Sequence, residues 1–508
     1  MRLPLLIFIS GLCVSLSAQN FRSAENTFNR LDTIDMPSSR LAESTFDSNP
    51  ALKDRQYGFS VTDVRVFHLS DSRETGSYFP WQGNGTMTTG GAVKAYIKVN
   101  PRLTAYGDAS FRTSHQWKVR WNSAIDYMRI APYILADSVG GNVSSQQYRF
   151  SGGVSYSLGR WTIGGKASYR AEIAYRDRDP RIKDVVSDLN FRFGASYSFG
   201  SWITGGTFGV SVYNQEDDVD FYNPVNNIRT YFMTGLGSVY PRFSNGGTGT
   251  SAYEGTGLYG SLQLIQNSDK GLRLSVSGGK EEITQRIREF NNLNLTSSET
   301  YNIGTSVIYS LPRIFSFHIN GYWLRRIGTE NIFGTSIGNS YPKLSSRQNY
   351  VADNAGGKFS MPVEMDFGSK WRISIVPSFG GSYFREFLRE PNRLSEFSYL
   401  TPGIETSFIW RSSECVRWNL SLKGDRTISH CIANRLTGLT TETERGEITY
   451  LQNTILSSCR TSFDSSLRCD FKIKGMPALF LKGNCHLTSF SKTDADSDGF
   501  EISIGSTF

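Results

Sequence analysis

The sequence predicts an all-β fold, a transmembrane antiparallel β-barrel of about 18 strands, within a range of about 14 to 20. Three observations predict it. Polar and apolar residues alternate over long runs, tight and long connections alternate between those runs, and the chain ends on an alternating strand with a terminal Phe. Barrels of this type have short periplasmic turns and long extracellular loops. The expected location is therefore the cell outer membrane.

Alternation is clearest in the run from Trp161 to Arg176. Its odd positions carry mainly Trp, Ile, Ala and Tyr, whereas its even positions carry mainly Thr, Lys, Ser, Arg and Glu. Successive strand side chains point to opposite faces, so one face is apolar and the other is charged. The run of about 15 residues exceeds the common strand length of about five or six, which disfavours a water-soluble sandwich. Similar runs cover 189–199 and 371–383, where Pro377 is expected to interrupt the ladder.

Tight turns and long polar connections separate these runs. The segments SYSLGRW and SYSFGSW begin at Ser155 and Ser196 and are interpreted as two periplasmic hairpin turns. Nine strands that descend to this side, each with an ascending partner, give the estimate of about 18. The predicted tight turns are Asn100-Pro101, Gly159-Arg160, Gly200-Ser201, Asp269-Lys270, Pro312-Arg313, Gly368-Ser369, Ser413-Glu414 and Gly475-Met476. The predicted long loops are 115–146, 214–254, 327–354 and 432–445.

Three regions are predicted along the chain. Residues 1–18 have the parts of a secretory signal peptide, with Arg2 before an apolar core and Ser17-Ala18 before the expected cleavage site. Residues 19–55 are polar and precede the first strand, so they lie either in the periplasm or inside the barrel. Residues 56–508 form the barrel.

Composition excludes several other classes of protein. The mean hydropathy of −0.34 and the absence of a second long apolar run disfavour a helical membrane bundle. The net charge of +8 comes from interspersed charges, so no nucleic-acid partner is predicted. Five widely spaced cysteines remain after the predicted cleavage. Their odd number and the lack of a CxxC pair argue against a disulfide scaffold and a zinc site.

The C-terminal sequence GFEISIGSTF resembles the signal that the outer-membrane assembly machinery reads. It places apolar residues on one strand face and ends with an aromatic residue, although Ser506 stands where an apolar residue is usual. Both this machinery and the membrane lipid are therefore predicted partners. The residues of the predicted signal are Phe500, Ile502, Ile504 and Phe508.

Three segments of the chain resemble an uncharacterised family of outer-membrane β-barrel proteins from Bacteroidetes-type envelopes. They are Ala174–Gly200, Asp218–Gly237 and Ser251–Ile265, and the remainder shares only the general pattern. The resemblance implies the barrel and its compartment. It brings no catalytic residue and no known substrate.

Two short motifs are interpreted as coincidences, so no enzyme is predicted. Residues 334–338 match GxSxG, but a nucleophile elbow needs a following helix, and none is predicted there. Residues 255–260 match GxGxxG, but they open an alternating strand instead of the helix of a dinucleotide site. A hydrolase assembled from different strands stays a less favoured alternative.

Residues 494–499 reproduce the first six positions of an EF-hand calcium loop. Asp494, Asp496 and Asp498 supply alternate carboxylates, and Gly499 permits a sharp turn. Gly505 occupies the twelfth position, where the loop needs Glu. The segment is therefore either a solvated acidic turn or a weak calcium site, and no other cofactor is predicted.

The polar phase of the strands is expected to face the lumen, because a charge at the lipid midplane costs about 2–4 kcal/mol. These residues form either a self-neutralising ion-pair network or a basic constriction that favours small anionic solutes. The expected lumen-lining residues are Lys94, Lys98, Asp108, Arg112, Lys166, Arg170, Glu172, Arg176 and Arg192.

The leading functional hypothesis is an outer-membrane channel or transporter that moves small solutes without covalent chemistry. The alternative is a surface interaction scaffold in which the outer loops bind partners and the lumen is closed. The sequence identifies neither a solute nor a partner.

Overall fold

A computed structural model describes most of the chain. The described residues are 27–223, 228–243, 249–266, 271–311, 315–338, 340–368, 370–473 and 476–508. The predicted signal peptide, residues 1–18, lies outside them, as does the start of the 19–55 segment.

The described residues are mostly strands. The bounds of the barrel strands are β1 Val61–Arg73, β2 Gly85–Asn100, β3 Leu103–Val119, β5 Gly141–Leu158, β6 Trp161–Tyr175, β7 Arg181–Phe199, β8 Trp202–Asp220, β11 Gly249–Gln266, β12 Gly271–Ile287, β13 Leu293–Leu311, β14 Phe315–Phe333, β15 Lys343–Ser360, β16 Val363–Phe367, β17 Trp371–Leu388, β18 Arg393–Arg411, β19 Val416–Leu436, β20 Arg460–Phe471, β21 Ala478–Phe490 and β22 Ala495–Thr507. Three short strands, β4 Tyr133–Asp137, β9 Thr230–Gly235 and β10 Ser238–Val239, form a separate sheet. The helices are α1 Thr27–Asp35, α2 Pro37–Asp47, α3 Tyr127–Ile130 and α4 Glu444–Leu456, with 3-10 helices at Pro50–Arg55 and Pro80–Gln82.

The chain forms a closed antiparallel β-barrel of 18 strands, as predicted. Its main sheet contains 19 strand segments, of which β15 and β16 together make one barrel strand. The first strand pairs with both the second and the last, which closes the ring. Closure protects the sheet edges in lipid, where backbone polar groups have no water to bond.

All eight predicted tight turns fall between consecutive barrel strands. Gly159 and Gly200 both adopt positive φ, 63° and 54°, which explains the repeated Gly at these corners. The turns at Asp269-Lys270 and Pro312-Arg313 lie outside the described residues.

Three of the four long loops are shorter than predicted, and 327–354 is mostly strand. The fourth, predicted at 432–445, is longer, since residues 437–459 separate β19 from β20. β14 and β15 leave only 334–342 between them. Glu330 on β14 accepts hydrogen bonds from Arg347 (3.0 Å) and Asn349 (2.9 Å) on β15. Polar residues therefore continue the strand pairing beyond the apolar band. Loss of alternating apolar residues marks the exit from lipid and not the end of the strand.

Pro377 interrupts the ladder on one side only and does not end its strand. β17 runs through it and pairs Pro377 with Ile404 of β18. The interruption falls on the other neighbour, where Met361 and Pro362 separate β15 from β16. Met361 still donates a backbone hydrogen bond of 3.0 Å to the Pro377 carbonyl, and the register resumes unchanged at Val363.

The two strand faces differ as the alternation predicts. Large apolar side chains of one phase are exposed on the outside, among them Phe193 at 62%, Leu262 at 72% and Phe379 at 54%. In a water-soluble protein such exposure would be unusual over a contiguous band. Here it is the surface that meets lipid.

None of the helices among the described residues has the length and apolar character needed to cross a membrane.

Candidate solute pathway

The predicted lumen-lining residues lie on the phase opposite to the exposed apolar side chains. Several make ion pairs: Lys94 with Glu43 (2.7 Å), Arg170 with Glu172 (3.2 Å) and Asp126, and Arg176 with Asp137 (2.6 Å). Lys98 donates to the Asp54 carbonyl, and Asp108 accepts from Ser151. Arg192 lies over the Tyr259 ring at 4.6 Å.

An N-terminal plug, defined as residues 27–55, contacts the inner faces of strands around the barrel. Its ion pairs reach β18 through Arg40 and Glu405, and β2 through Glu43 and Lys94. Asn49 donates to Gln263 of β11 at 2.9 Å. A segment that touches strands so far apart in a closed ring lies across the lumen.

The strongest charge contact of the plug is built around Arg417 of β19. Its fully buried guanidinium pairs with Asp32 and Asp35 of α1, both at 2.6 Å, and with Asp470 of β20 at 2.8 Å. Burial would raise the pKa of Asp35, but the charges of Arg417 and Arg468 outweigh it and hold that pKa below its ordinary value. The plug is thus fixed to the wall by charged contacts.

Bare glycines make room for the 3-10 helix of the plug. A Cβ on Gly164 would lie 2.5 Å from the Pro50 carbonyl carbon, and one on Gly194 would lie 2.0 Å from Asn49 Oδ1. Gly205 faces the same asparagine. These positions lack side chains because the plug backbone occupies the space that a side chain would need.

Outer loops close the opposite end of the lumen. Ile130 and Ile134 are buried with Val186 and Tyr213 of the strands. Arg129 of α3 donates to Asp188 of β7 at 2.8 Å and pairs with Glu281 of β12 at 2.6 Å. The outer constriction therefore combines an apolar cluster with ion pairs.

Polar cavities remain in the lumen. A first cavity, of about 270 Å³, lies beneath Arg129 and is lined by Asn190, Arg192, Tyr259 and Lys280, among others. A second cavity, of about 360 Å³, lies beside Arg40 of the plug, with lining residues that include Lys423, Asp464, His486 and Glu501. Both are large enough to hold small polar molecules.

The second cavity contains a hydrogen-bonded chain that sequence reasoning missed. Asp464 Oδ1 lies 2.5 Å from His486 Nδ1, and His486 Nε2 lies 2.9 Å from Thr488 Oγ1. Asp464 and His486 are directly opposite in the β20–β21 pairing. Only the strand register brings these two residues together, because they are 22 positions apart in the sequence.

A buried carboxylate pair was also missed. Asp184 of β7 and Asp217 of β8 face each other in the ladder, and both are buried. Gln215 donates to Asp217 Oδ1 at 2.7 Å, but Asp217 Oδ2 and Asp184 Oδ1 have no hydrogen-bond partner among the described residues.

The acidic segment near the C-terminus does not form a calcium loop. Ala495 begins β22, so Asp496 and Asp498 are strand residues, and Asp494 lies just before them. Across the described part of the chain, no group of three or more His, Cys, Asp or Glu side chains is placed to hold a metal. The EF-hand spacing fails because extended backbone spreads these carboxylates along a strand instead of wrapping them around an ion.

The residues of the predicted assembly signal lie on and just beyond β22. Phe500, Ile502 and Ile504 are exposed on the outer face. Phe508 donates a backbone hydrogen bond of 2.9 Å to the Thr62 carbonyl of β1.

The GxSxG and GxGxxG motifs lie in a loop and in a strand, respectively, as the sequence predicts. Ser336 is exposed between β14 and β15 and precedes a strand. The GxGxxG residues lie within β11. In the described structure, strands therefore stand where the chemistry of either motif requires a helix.

A closed barrel with an apolar exterior and a polar, partly filled lumen defines an integral outer-membrane β-barrel protein. The chain belongs to a family of unknown function, DUF6850, whose profile matches residues 52–508. No curated protein matches it.

Several solved structures are similar at low sequence identity. The ferric preacinetobactin receptor BauA from Acinetobacter baumannii is 10% identical, with a TM-score of 0.40, over 88% of this chain and 80% of that one. A mutant of the ferric enterobactin receptor PfeA from Pseudomonas aeruginosa, in complex with enterobactin, is 7% identical, with a TM-score of 0.39, over 89% and 82%. A FadL homologue from Pseudomonas aeruginosa is 10% identical, with a TM-score of 0.34, over 91% and 92%.

Proposed function

We propose that this protein is an outer-membrane transporter for small polar solutes, closed at rest by its N-terminal plug and outer loops. The observation that carries the proposal is the presence of polar cavities inside a barrel whose lumen is partly occupied by the plug and an outer loop. A purely structural barrel gains nothing from polar space that its own side chains leave unfilled. Among polar solutes, the cations of the β3–β7 wall favour anions.

The contacts of the plug support an opening mechanism. Several of its wall contacts are partly exposed ion pairs, such as Arg40 with Glu405 and Lys94 with Glu43, which exchange for water more readily than an extensive apolar core does. The buried contact of Arg417 is the one that costs most to break. Its buried apolar side chains are few: Phe46 and Leu52 belong to a small cluster, and Phe28 and Leu31 are buried on α1. Displacement of residues 27–55 would join the second cavity to the periplasmic end of the barrel.

Single-channel conductance in planar bilayers tests this proposal. Arg417→Gln removes the guanidinium that holds Asp32 and Asp35, so we expect a higher open probability and faster solute uptake into liposomes than with the native chain. Arg435→Gln is the matched control, because Arg435 is on the same strand but bonds Asn392 at the outer end. It should behave like the native protein.

A folded Arg417→Gln barrel that stays electrically silent and solute-tight would overturn the transport proposal. Recovery of a stable binding partner together with that silence would favour the surface scaffold.

A second candidate function rests on the Asp464–His486–Thr488 chain. It has the order of an acid–base–nucleophile triad, with Thr in place of Ser, and it borders a cavity. A fluorophosphonate probe tests it: covalent labelling that Thr488→Ala abolishes and Ser466→Ala, in the same cavity, leaves intact would support a hydrolase. An unlabelled native chain would remove this candidate.

A further inference from the structure

A group of four cations on one wall of the lumen lacks acidic partners within the described structure. They lie on the inward phase of neighbouring strands: Arg112 on β3, Arg149 on β5, Lys166 on β6 and Arg192 on β7. Among the described residues, no carboxylate oxygen lies within 4.0 Å of any of them. Some other positive charges of the lumen are paired with carboxylates, as with Arg170 and Arg176.

Lys166 and Arg192 are placed directly opposite each other in the β6–β7 pairing. Directly opposed side chains have Cβ atoms about 4.5–5.5 Å apart, and like charges at that separation destabilise the sheet. Asp47 and Asp108 attract Lys166 only from beyond 4.0 Å, because Asp47 pairs with Lys53 and Asp108 is turned toward Ser151. A bound anion would relieve the repulsion.

The surroundings of Arg192 complete a binding site. The cavity of about 270 Å³ also presents Asn190, Ser211, Tyr259 and Asn302, all neutral groups able to hydrogen-bond. Glu281, an acidic residue of the lining, is neutralised by Arg129 at 2.6 Å. Asn49 of the plug packs against Gly194, which is two residues from Arg192 on β7. Arg129 lines the cavity on its outer side.

We propose that this cavity and the adjoining wall are a binding site for the oxyanion of a small solute, a carboxylate or a phosphate. The principal ligands are Arg192, which lines the cavity, and Lys166, which lies directly opposite it on β6, with Arg112 and Arg149 further along the wall. A guanidinium binds both groups through two parallel hydrogen bonds. The proposal rests on the proposed transport function for its purpose, since it identifies the solute class, but the binding itself needs no transport.

Calorimetric titration of the full mature chain in detergent tests the site, with inorganic phosphate and acetate as separate probes at an ionic strength of about 0.15 M, where the Debye length is about 8 Å. Native protein should bind at least one of them. Arg192→Gln and Lys166→Gln should each weaken binding about tenfold or more, the effect of losing one charge-assisted hydrogen bond. Heat-modifiable migration on electrophoresis verifies that each variant retains its barrel.

Lys358→Gln is the matched control. Lys358 faces the lumen from a distant strand, β15, and also lacks a carboxylate within 4.0 Å among the described residues. Its loss should change affinity less than about twofold, because Coulomb attraction across the lumen is screened. An equal loss in Lys358→Gln would mean that only net charge matters and would overturn the site, as would absence of binding by the native chain.

The transport proposal and the anion-site proposal can be contradicted independently of each other. A chain that binds either anion but never conducts contradicts transport and keeps the site. A chain that conducts but binds neither anion contradicts the site and keeps transport.

Discussion

At the scale of single residues, buried charge in this barrel occurs in two forms. Arg176 is buried and paired with Asp137, which also accepts the Gly140 amide at 2.7 Å. Asp184 is equally buried but faces Asp217 with no donor on its Oδ1 among the described residues. The first arrangement stabilises the outer constriction, and the second costs free energy.

These two carboxylates should therefore respond oppositely to the same substitution. Asp184→Asn introduces an amide that can donate to Asp217 Oδ2, so the free energy of unfolding should rise by about 1–3 kcal/mol. Asp137→Asn leaves the buried Arg176 uncompensated and should lower it by about 3–5 kcal/mol. Urea unfolding from lipid vesicles measures both. A loss of stability in Asp184→Asn would show that its carboxylate has a stabilising partner.

Acid should release the plug only at low pH. The pKa of Asp35 lies below its ordinary value of 3.8, so its pairing with Arg417 is complete above that value and is lost as the pH falls through the lowered pKa. Conductance should stay constant between about pH 7 and 5 and rise only below about pH 4. Asp35→Asn should abolish this rise in conductance. Asp179→Asn, in an outer loop, should retain it, and a step near neutrality would contradict the assignment.

At the scale of elements, the plug is held by surface shape as well as charge. The Pro50–Arg55 3-10 helix lies where Gly164 and Gly194 leave the wall bare. Asn49 caps this helix by accepting the Ala51 amide at 2.9 Å and also donates to the Gly206 carbonyl at 3.2 Å. One side chain therefore orders the helix and joins it to the wall.

A single added methyl group should disturb the contact between the 3-10 helix of the plug and the barrel wall. Gly164→Ala places a Cβ 2.5 Å from plug backbone, which has no flexible end to move aside, so we expect higher conductance and faster proteolysis of residues 27–55. Gly165→Ala is the control, because a Cβ on this adjacent, outward residue meets nothing closer than 3.9 Å among the described residues. Equal behaviour of the two variants would mean that the plug does not rest on this wall.

The strands could be predicted from sequence far better than the plug. Trp161–Tyr175 has a strict period of two because lipid and water contact its opposite faces at every residue. The α1 and α2 helices carry no comparable signal. Their residues are mostly polar, and only contacts with distant strands, such as Asp32 with Arg417, fix their position.

At the scale of the whole molecule, the barrel is stable only while each strand keeps its apolar phase outward. Phe379 and Ser378 are neighbours on β17 with opposite surroundings: the first is 54% exposed on the outside, and the second lines a lumen cavity with Glu405. Their difference depends on barrel closure and not on local structure.

Substitution by arginine should affect stability differently at these two neighbouring positions. Phe379→Arg should lower the free energy of unfolding in lipid vesicles by about 2–4 kcal/mol, the cost of a charge at the midplane. Ser378→Arg should lower it by much less, since its guanidinium can reach water and Glu405. Similar losses at both positions would contradict the assigned faces.

The sequence by itself determined the barrel, its approximate strand number, the phase of the clearly alternating strands and the sites of the tight turns, because all of these follow from a local period of two and from turn chemistry. Only the tertiary structure decided which lumen charges are paired, where residues 27–55 lie, and which cations face an unfilled cavity. Pairing depends on register between strands and on contacts across the lumen. Residues such as Arg417 and Asp32 are 385 positions apart in sequence, and no local pattern records that they meet.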